Sequence, residues 1–243
     1  MNIYKVYRTM WFMDGILPVC KPVGISSYDV IRVFKQNNPP PPGQKRWKIG
    51  HGGTLDPFAE GVLLLLLGKA TKMMNELQSL PKTYVATAIL GASSDTLDCT
   101  GVVTTQTSEI DSKQIDRLDQ ILPKFLGEIE QKVPDFSAAK VNGTPRYLLA
   151  REGKVMETKI KKVFVHKLKI EEVAWPNVVL LATVSSGTYI RQLSYDIFAL
   201  LGIESHLSKL VRTKIGQYEV GACATIEEVE NGAWRLRMLS RGE

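Results

Sequence analysis

The sequence is poor in the residues that build disulfide and metal sites. It holds three cysteines and three histidines in 243 residues, and no two cysteines form a C-x-x-C pair. Neither H-E-x-x-H nor H-x-x-x-H occurs. A disulfide framework, a zinc knuckle and a metal enzyme are therefore all disfavoured, and the cysteine usage indicates a reducing compartment.

Long apolar runs are also absent. The longest, at 62–67, has six residues, whereas a membrane-spanning helix needs about 20. Charged residues interrupt the apolar N-terminal segment, so it lacks the core of a signal peptide. These absences predict a cytoplasmic protein with neither membrane nor metal partners, and we expect a monomer.

Composition and charge are those of a globular chain. Apolar residues make up 44% and charged residues 23% of it, as is typical of folded domains. Lys and Arg total 31 against 25 Asp and Glu, for a net charge of +6, which weakly favours an anionic partner. We predict a single domain over 1–243, in which the proline-rich stretch at 39–46 is an exposed loop.

Hydrophobic patterns predict a mixture of strands and helices. Strands are predicted at 14–20, 62–67, 82–90, 102–107, 128–133, 163–172 and 178–185. Helices are predicted after 26–29 and at 70–80, 111–126 and 189–201. The sum is an α+β protein, with a mixed sheet and helices packed against it.

The first of these helices has a recognisable start. Ser26 and Asp29 stand three residues apart, as in a capping box in which the serine is the N-cap. Tyr28, Ile31 and Phe34 follow helical spacing and would share its buried face.

Residues 134–162 form a strongly basic segment with interleaved aromatic residues. Its principal cationic and aromatic residues are Lys140, Arg146, Tyr147 and Arg151. One interpretation is a solvated surface helix and loop. The other is an arm that follows a phosphate backbone, because cations displace its counterions and aromatic rings stack on bases.

The densest candidate for a functional site is Gly-His-Gly-Gly-Thr-Leu-Asp-Pro at 50–57. Three glycines in four positions allow a sharp turn and a close approach to a ligand. Pro57 favours an extended backbone at Asp56, so the loop would present one carboxylate from a constrained backbone. A structural turn, in which Asp56 accepts a nearby backbone N–H, is the alternative. No Gly-Lys-Ser/Thr ends the segment, so it is not a P-loop.

Four blocks in order resemble the TruB family of tRNA pseudouridine synthases. They are Lys-Pro-Val-Gly-Ile-Ser-Ser at 21–27, the motif at 50–57, Lys-Thr-Tyr at 82–84 with Asp-Thr-Leu-Asp at 95–98, and Ser-Gly-Thr-Tyr-Ile-Arg at 186–191. The resemblance runs from about 14 to 229. It implies the pseudouridine synthase fold, with a mostly antiparallel sheet.

The resemblance also implies an activity. Such enzymes convert a uridine in the T-arm of tRNA, at position fifty-five, to pseudouridine. The glycosidic C–N bond breaks, the uracil rotates, and it is rejoined through carbon. No cofactor or metal is implied, and the expected partner is the T-arm stem-loop of tRNA.

By this resemblance Asp56 is the nucleophile, attacking either the sugar C1′ or the base. Arg191 would pair with it, the alternative being a phosphate-facing charge at a helix start. Tyr84 would stack on the flipped uracil and offer its phenol for proton chemistry, or simply pack in the sheet.

Three further residues are expected to line the base: His51, Tyr189 and Leu210. Their alternatives are loop capping and ordinary packing. Leu210 precedes Val211 and Arg212, where the family usually has two adjacent arginines.

Lys21 and Asp98 are expected to form a supporting ion pair that is more structural than catalytic. The arm, as we call residues 134–162, matches the family's thumb-like insertion, and we expect it to be poorly ordered without RNA and to fold onto it. Because the chain ends at Glu243, soon after the matching blocks, we expect a catalytic domain without the usual C-terminal RNA-binding domain.

Two alternatives remain open from the sequence. A guide-RNA-dependent synthase of the dyskerin kind shares the catalytic motif but needs the additional C-terminal domain. A tRNA-folding RNA-binding protein without chemistry would leave Asp56 dispensable.

Overall fold

The computed structural model describes residues 14–107, 110 and 112–239. The chain forms two compact units. Unit 1 comprises residues 1–80 and 212–243, and unit 2 comprises residues 81–211. Unit 2 is thus inserted, along the sequence, between two segments of unit 1. The single domain over 1–243 includes both units and stays a prediction.

Strands occur throughout the described part of the chain. They are β1 (Gly15–Lys21), β2 (Ile49–His51), β3 (Glu60–Leu67), β4 (Lys82–Leu90), β5 (Ala92–Ser94), β6 (Val103–Thr105), β7 (Gly127–Lys132), β8 (Lys140–Val141), β9 (Thr144–Pro145), β10 (Ile160–Ala174), β11 (Asn177–Val184), β12 (Ser205–Ile215) and β13 (Tyr218–Glu219).

The helices are short. The α-helices are α1 (Ser27–Asn37), α2 (Met74–Ser79), α3 (Leu118–Ile121), α4 (Arg146–Arg151), α5 (Ile190–Ala199) and α6 (Ile226–Asn231). Helices of the 3-10 type span Gly68–Met73, Ser112–Arg117, Leu122–Phe125, Val220–Ala222 and Ala233–Arg237. None of the helices in the described ranges is long and apolar enough to cross a membrane.

Unit 1 is built around β3, which pairs antiparallel with both β1 and β2. Successive residues of a strand point to opposite faces. One set of β3 leucines packs with Phe34 and Trp234, and the alternate set packs with Leu77 and Tyr218. Both faces of β3 are therefore buried, which explains its continuous apolar run, and the strand predicted at 62–67 is confirmed.

Helix α1 begins with the predicted capping box. The Ser26 side chain accepts the Asp29 N–H, and the Asp29 side chain accepts the Ser26 N–H. Ile31 and Phe34 are buried as predicted. The prediction for Tyr28 is wrong, because its side chain is 64% exposed and Val30 takes the third buried position instead.

Unit 2 contains an antiparallel sheet in the order β4-β11-β10-β7. Residues of β4 alternate between buried and half-buried, as a strand with one covered face requires. Helix α5 buries Leu193, Ile197 and Phe198. Antiparallel pairing with helices alongside agrees with the predicted α+β class.

Three regions differ from the predicted elements. Residues 70–80 form a 3-10 turn followed by α2, and the described part of 111–126 alternates between 3-10 and α geometry; Asp111 lies outside the described residues. Strand β12 was not predicted. It buries Ser205, His206 and Arg212, and these polar residues interrupt the apolar alternation by which strands are recognised.

Candidate active site

The Asp56 loop, residues 50–57, begins in β2 and continues without regular structure. A single hydroxyl holds its centre: Ser27 Oγ accepts the Leu55 N–H at 2.8 Å and donates to the Leu55 carbonyl at 3.1 Å. Ser27 is 2% exposed and Leu55 is 4% exposed. The helix that starts at the 21–27 motif therefore anchors the residue directly before Asp56.

The end of the loop is held by the segment before α1. The Pro57 carbonyl accepts the Gly24 N–H at 2.8 Å and the Lys21 ammonium at 3.4 Å. The Asp56 carbonyl accepts the Ala59 N–H at 3.1 Å. Asp56 itself is half-buried, so a fixed backbone presents a carboxylate that retains some access to solvent.

The beginning of the loop is held by Arg212, whose side chain is 1% exposed. Its Nε donates to the Val62 carbonyl at 2.7 Å, and its two terminal nitrogens donate to the Thr54 carbonyl at 3.1 Å and the Gly53 carbonyl at 3.2 Å. Gly53 has φ +124°, a conformation that L side chains rarely adopt. A glycine is therefore required where the loop turns toward this guanidinium.

All five carbonyls from residue 53 to residue 57 accept a hydrogen bond. Three side chains that come from outside the loop supply most of these donors: Lys21, Ser27 and Arg212. None of these contacts was predicted from the sequence. The 21–27 block contains two of these three side chains, Lys21 and Ser27, but nothing in the block predicts which atoms they bind.

Lys21 is completely buried. Besides Pro57, its ammonium donates to the carbonyls of Pro22 at 2.7 Å and Ile25 at 2.8 Å. Burial lowers the pKa of Lys21 to about 8. The negative charge of Asp56 opposes this shift, and the positive charge of Arg212 adds to it.

Lys21 should make stability depend on pH. Its folded pKa of about 8 lies below the usual 10.5, so between these values the unfolded chain binds the proton and the folded chain does not. The free energy of unfolding should therefore rise with pH across this window, by at most about 3 kcal/mol. Urea titrations at pH 7 and pH 10, compared with Lys21→Met, measure the difference. If the free energy of unfolding of wild type, relative to that of Lys21→Met, does not rise from pH 7 to pH 10, the lowered pKa of Lys21 is contradicted.

His51 lies at the end of β2, half-buried. Burial lowers its pKa, and the nearby charge of Arg212 lowers it further. Its Nδ1 is buried and has no hydrogen-bond partner among the described residues. At neutral pH the ring is therefore neutral, and it has one buried nitrogen without a hydrogen-bond partner among the described residues.

In unit 2, Arg191 lies in the first turn of α5 and is 4% exposed. Its guanidinium donates to the Thr96 carbonyl at 2.6 Å and to the Phe136 carbonyl at 2.9 Å. It also lies 3.5 Å from a carboxylate oxygen of Asp98. Arg191 thus connects the 95–98 block with the first residues of the arm.

Asp98 is 4% exposed and held by its own loop. The hydroxyl of Thr96 and the N–H and hydroxyl of Thr100 all donate to its other carboxylate oxygen. The predicted ion pair between Lys21 and Asp98 is therefore wrong, because the partner of Asp98 is Arg191. A buried acid that is both hydrogen-bonded and paired can hold a guanidinium in one place.

Tyr189 is half-buried and is the N-cap of α5. It is fixed by a residue that was not predicted from the sequence. Gln131, 1% exposed, accepts the Tyr189 N–H at 2.8 Å and donates to the Tyr189 carbonyl at 3.1 Å. Tyr84 lies on β4 and is 8% exposed, and Leu210 lies on β12 and is 4% exposed. Their roles at the base stay predictions.

The arm forms a β8–β9 hairpin followed by α4. The prediction that Arg146 contacts RNA is not supported, because this side chain is 1% exposed. Its guanidinium pairs with Asp135 and donates to the Glu157 carbonyl at 3.2 Å. Arg146 therefore holds the two ends of the arm together.

The other predicted RNA contacts of the arm are accessible. Lys140 and Arg151 are exposed, and Tyr147 is 37% exposed. The Arg151 guanidinium lies 5.7 Å from the centre of the Tyr147 ring, within cation–π range. These residues present charge and an aromatic face to solvent.

Within residues 14–107, 110 and 112–239, no three His, Cys, Asp or Glu side chains lie close enough together to hold an ion.

The amino-acid sequence is similar to those of known pseudouridine synthases. Residues 43–190 match a family described as TruB family pseudouridylate synthase, N terminal domain. A tRNA pseudouridine synthase B of Aquifex aeolicus is 40% identical over 219 residues, which is 89% of this chain and 73% of that protein. Its namesake in Phocaeicola vulgatus is 36% identical over 220 residues, which is 90% of this chain and 93% of that protein.

A solved structure is similar in fold. A chain of a Cbf5-Nop10-Gar1 complex superposes with a TM-score of 0.66 at 25% sequence identity. The match covers 96% of this chain and 61% of that chain.

Proposed function

Because the chain belongs to the TruB family of pseudouridine synthases, we propose that it isomerises one uridine in the T-arm of tRNA, at position fifty-five, to pseudouridine. The predicted family, fold and enzyme class, an isomerase, are confirmed. The relatives' names support tRNA as the substrate, and the position within the T-arm is the finer part of the proposal.

The observation that carries the proposal is the anchoring of the Asp56 loop. A nucleophile that must reach one atom of a nucleotide gains most from a backbone that is fixed before the substrate arrives. Burying a guanidinium and an ammonium is costly, and a turn with no chemical role needs neither. Lys21 and Arg212, both buried around this loop, therefore support a catalytic role for Asp56.

The proposed reaction begins with extrusion of the uridine, because a stacked base cannot enter a pocket. Asp56 then forms a covalent intermediate, either at the sugar C1′ or on the base, which divides a difficult rearrangement into easier steps. The C–N glycosidic bond breaks, the uracil rotates, and one of its carbons bonds to the sugar C1′. The bond to Asp56 breaks and returns the free carboxylate. The carbon that joined the sugar loses its proton and the ring nitrogen that left the sugar gains one, so the product is an isomer of the substrate.

The other residues act around this centre in the proposal. Arg191 supplies the cation of the reaction centre, and Tyr84 stacks on the extruded uracil and offers a phenol for proton transfer. Tyr189, Leu210 and His51 line the base. We further propose that the protein acts as a monomer in the cytoplasm.

The arm should bind phosphate through Lys140, which is exposed and makes no ion pair with any described residue. Lys140→Ala should weaken tRNA binding and reduce the slope of log K against log salt by about 0.7 to 1. Filter binding at several salt concentrations measures this. Lys35→Ala, an exposed lysine on α1, is the control. Equal slopes for wild type and Lys140→Ala would remove this contact from the proposal.

The decisive experiment is incubation of the purified protein with an unmodified tRNA transcript, followed by pseudouridine mapping. One product in the T-arm is expected, and replacing that uridine by cytidine should eliminate it. A product that forms only when a guide RNA is added would favour a guide-dependent synthase. Binding and refolding of tRNA without any product would favour an RNA-folding protein.

A further inference from the structure

We propose that Arg212 is a positioning residue for the reaction of Asp56, whose guanidinium sets the backbone from which the nucleophilic carboxylate projects. The inference rests on the proposed function, since it takes Asp56 as the nucleophile. Arg212 does not touch the reacting atoms in this proposal. It acts through the peptide groups of residues 53 and 54.

One side chain joins the middle of the Asp56 loop to strand β3, which follows it. Nη2 and Nη1 bind the carbonyls of Gly53 and Thr54, at the turn before Asp56. Nε binds the carbonyl of Val62, inside strand β3, after the loop has ended. Because a guanidinium is planar and rigid, its three nitrogens fix the three carbonyls relative to one another. The chain before Asp56 and the chain after it are therefore held together by one guanidinium.

The backbone of Arg212 is fixed to the same segment. Gly61, the second residue of β3, has φ +112°, and a Cβ at this position would overlap the carbonyl oxygen of Arg212. Close approach of the two backbones therefore requires glycine at 61. The main chain of Arg212 therefore packs against β3 at Gly61, and its side chain reaches back to Gly53 and Thr54 in the loop.

A neutral or shorter residue could not replace these contacts. The carbonyls of Gly53 and Thr54 belong to a loop with no regular pairing, and the Arg212 guanidinium donates to both of them. A lysine offers one compact ammonium, which cannot reproduce a planar set of three donors. An apolar residue would fill space but leave the peptide groups before Asp56 free to rotate.

The test compares Arg212→Met, Arg212→Lys and a matched control, Val229→Ala, which removes buried atoms from α6 away from the loop. Three quantities are measured: the single-turnover rate at saturating tRNA, the Kd for tRNA, and amide hydrogen exchange of residues 50–60. For Arg212→Met we expect the rate to fall about 100-fold, with the Kd within about threefold of wild type and faster exchange in 50–60. Arg212→Lys should recover part of the rate.

Val229→Ala should keep the wild-type rate and the wild-type exchange in 50–60. The proposal is overturned if Arg212→Met leaves exchange in 50–60 unchanged, or if its rate at saturating tRNA equals that of wild type. It is also overturned if the control loses as much rate as Arg212→Met. If Arg212→Met does not unfold cooperatively and so is not properly folded, the proposal is tested with Arg212→Lys alone, by the same three measurements.

Failure of this inference differs from failure of the proposed function. If the wild-type protein makes no pseudouridine, the proposed function fails. The exchange measurement still decides whether Arg212 holds the Asp56 loop. If wild type is active and Arg212→Met is equally active, the function stands and the positioning role is lost.

Discussion

Asp56→Asn should abolish pseudouridine formation, lowering the single-turnover rate by about 10⁴-fold or more. The amide has nearly the shape of the carboxylate but cannot form the covalent intermediate. The Asp56 carbonyl accepts the Ala59 N–H, and the neighbouring loop carbonyls accept from Ser27 and Arg212, so these backbone bonds remain in the variant. Mapping of pseudouridine in a tRNA transcript over a range of times measures the rate.

The matched control for this substitution is Asp119→Asn, which changes an exposed acid on α3. It should leave the rate at the wild-type value. Binding of tRNA by Asp56→Asn should stay within a few-fold of wild type, because the arm is untouched. If Asp56→Asn forms as much product as wild type, Asp56 is not the nucleophile. If neither protein forms product, the alternative of a tRNA-folding protein without chemistry is favoured.

Arg191→Met should have the second largest effect, a loss of about 10² to 10³-fold in the single-turnover rate. In the proposed mechanism the guanidinium is the cation of the reaction centre. Its removal also leaves Asp98 as a buried acid without its ion-pair partner, at a cost of about 3 to 5 kcal/mol in folding free energy. Thermal unfolding and the single-turnover rate should therefore both change.

Arg191→Lys separates these contributions. It keeps a positive charge near Asp98, so most of the stability should return. It cannot reach Thr96, Phe136 and Asp98 together from one ammonium, so the rate should stay low. A folded Arg191→Met protein with the wild-type rate would exclude Arg191 from the reaction. A lysine variant that restores the full rate would show that charge alone is sufficient.

Local sequence patterns predicted much of the fold, because capping and burial depend on residues that are close together along the chain. The capping box of Ser26 and Asp29 is formed by residues three apart, and the run at 62–67 is apolar because both faces of β3 are buried. The motif at 50–57 and the block that ends at Arg191 identified the family. The residue types in these two blocks are the ones that the family's chemistry uses.

Burial of charged side chains was not predictable in the same way. Arg146 and Arg212 look in the sequence like any other arginine on a basic protein. Arg146 is instead enclosed between Asp135 and the Glu157 carbonyl, and Arg212 is enclosed by the loop carbonyls. Tyr28 shows the converse error, since it fits the helical spacing but lies on the exposed side of α1.

By itself the sequence determined the family, the reaction class, the chemical groups available for it and most of the strands. Only the tertiary structure decided which atoms hold those groups in place. The donor to the Thr54 carbonyl lies 158 residues further along the chain, and the Asp98 carboxylate meets an arginine from α5 rather than a lysine from β1. A contact between distant segments depends on where the folded backbone brings them, and residue spacing along the chain carries no record of that distance.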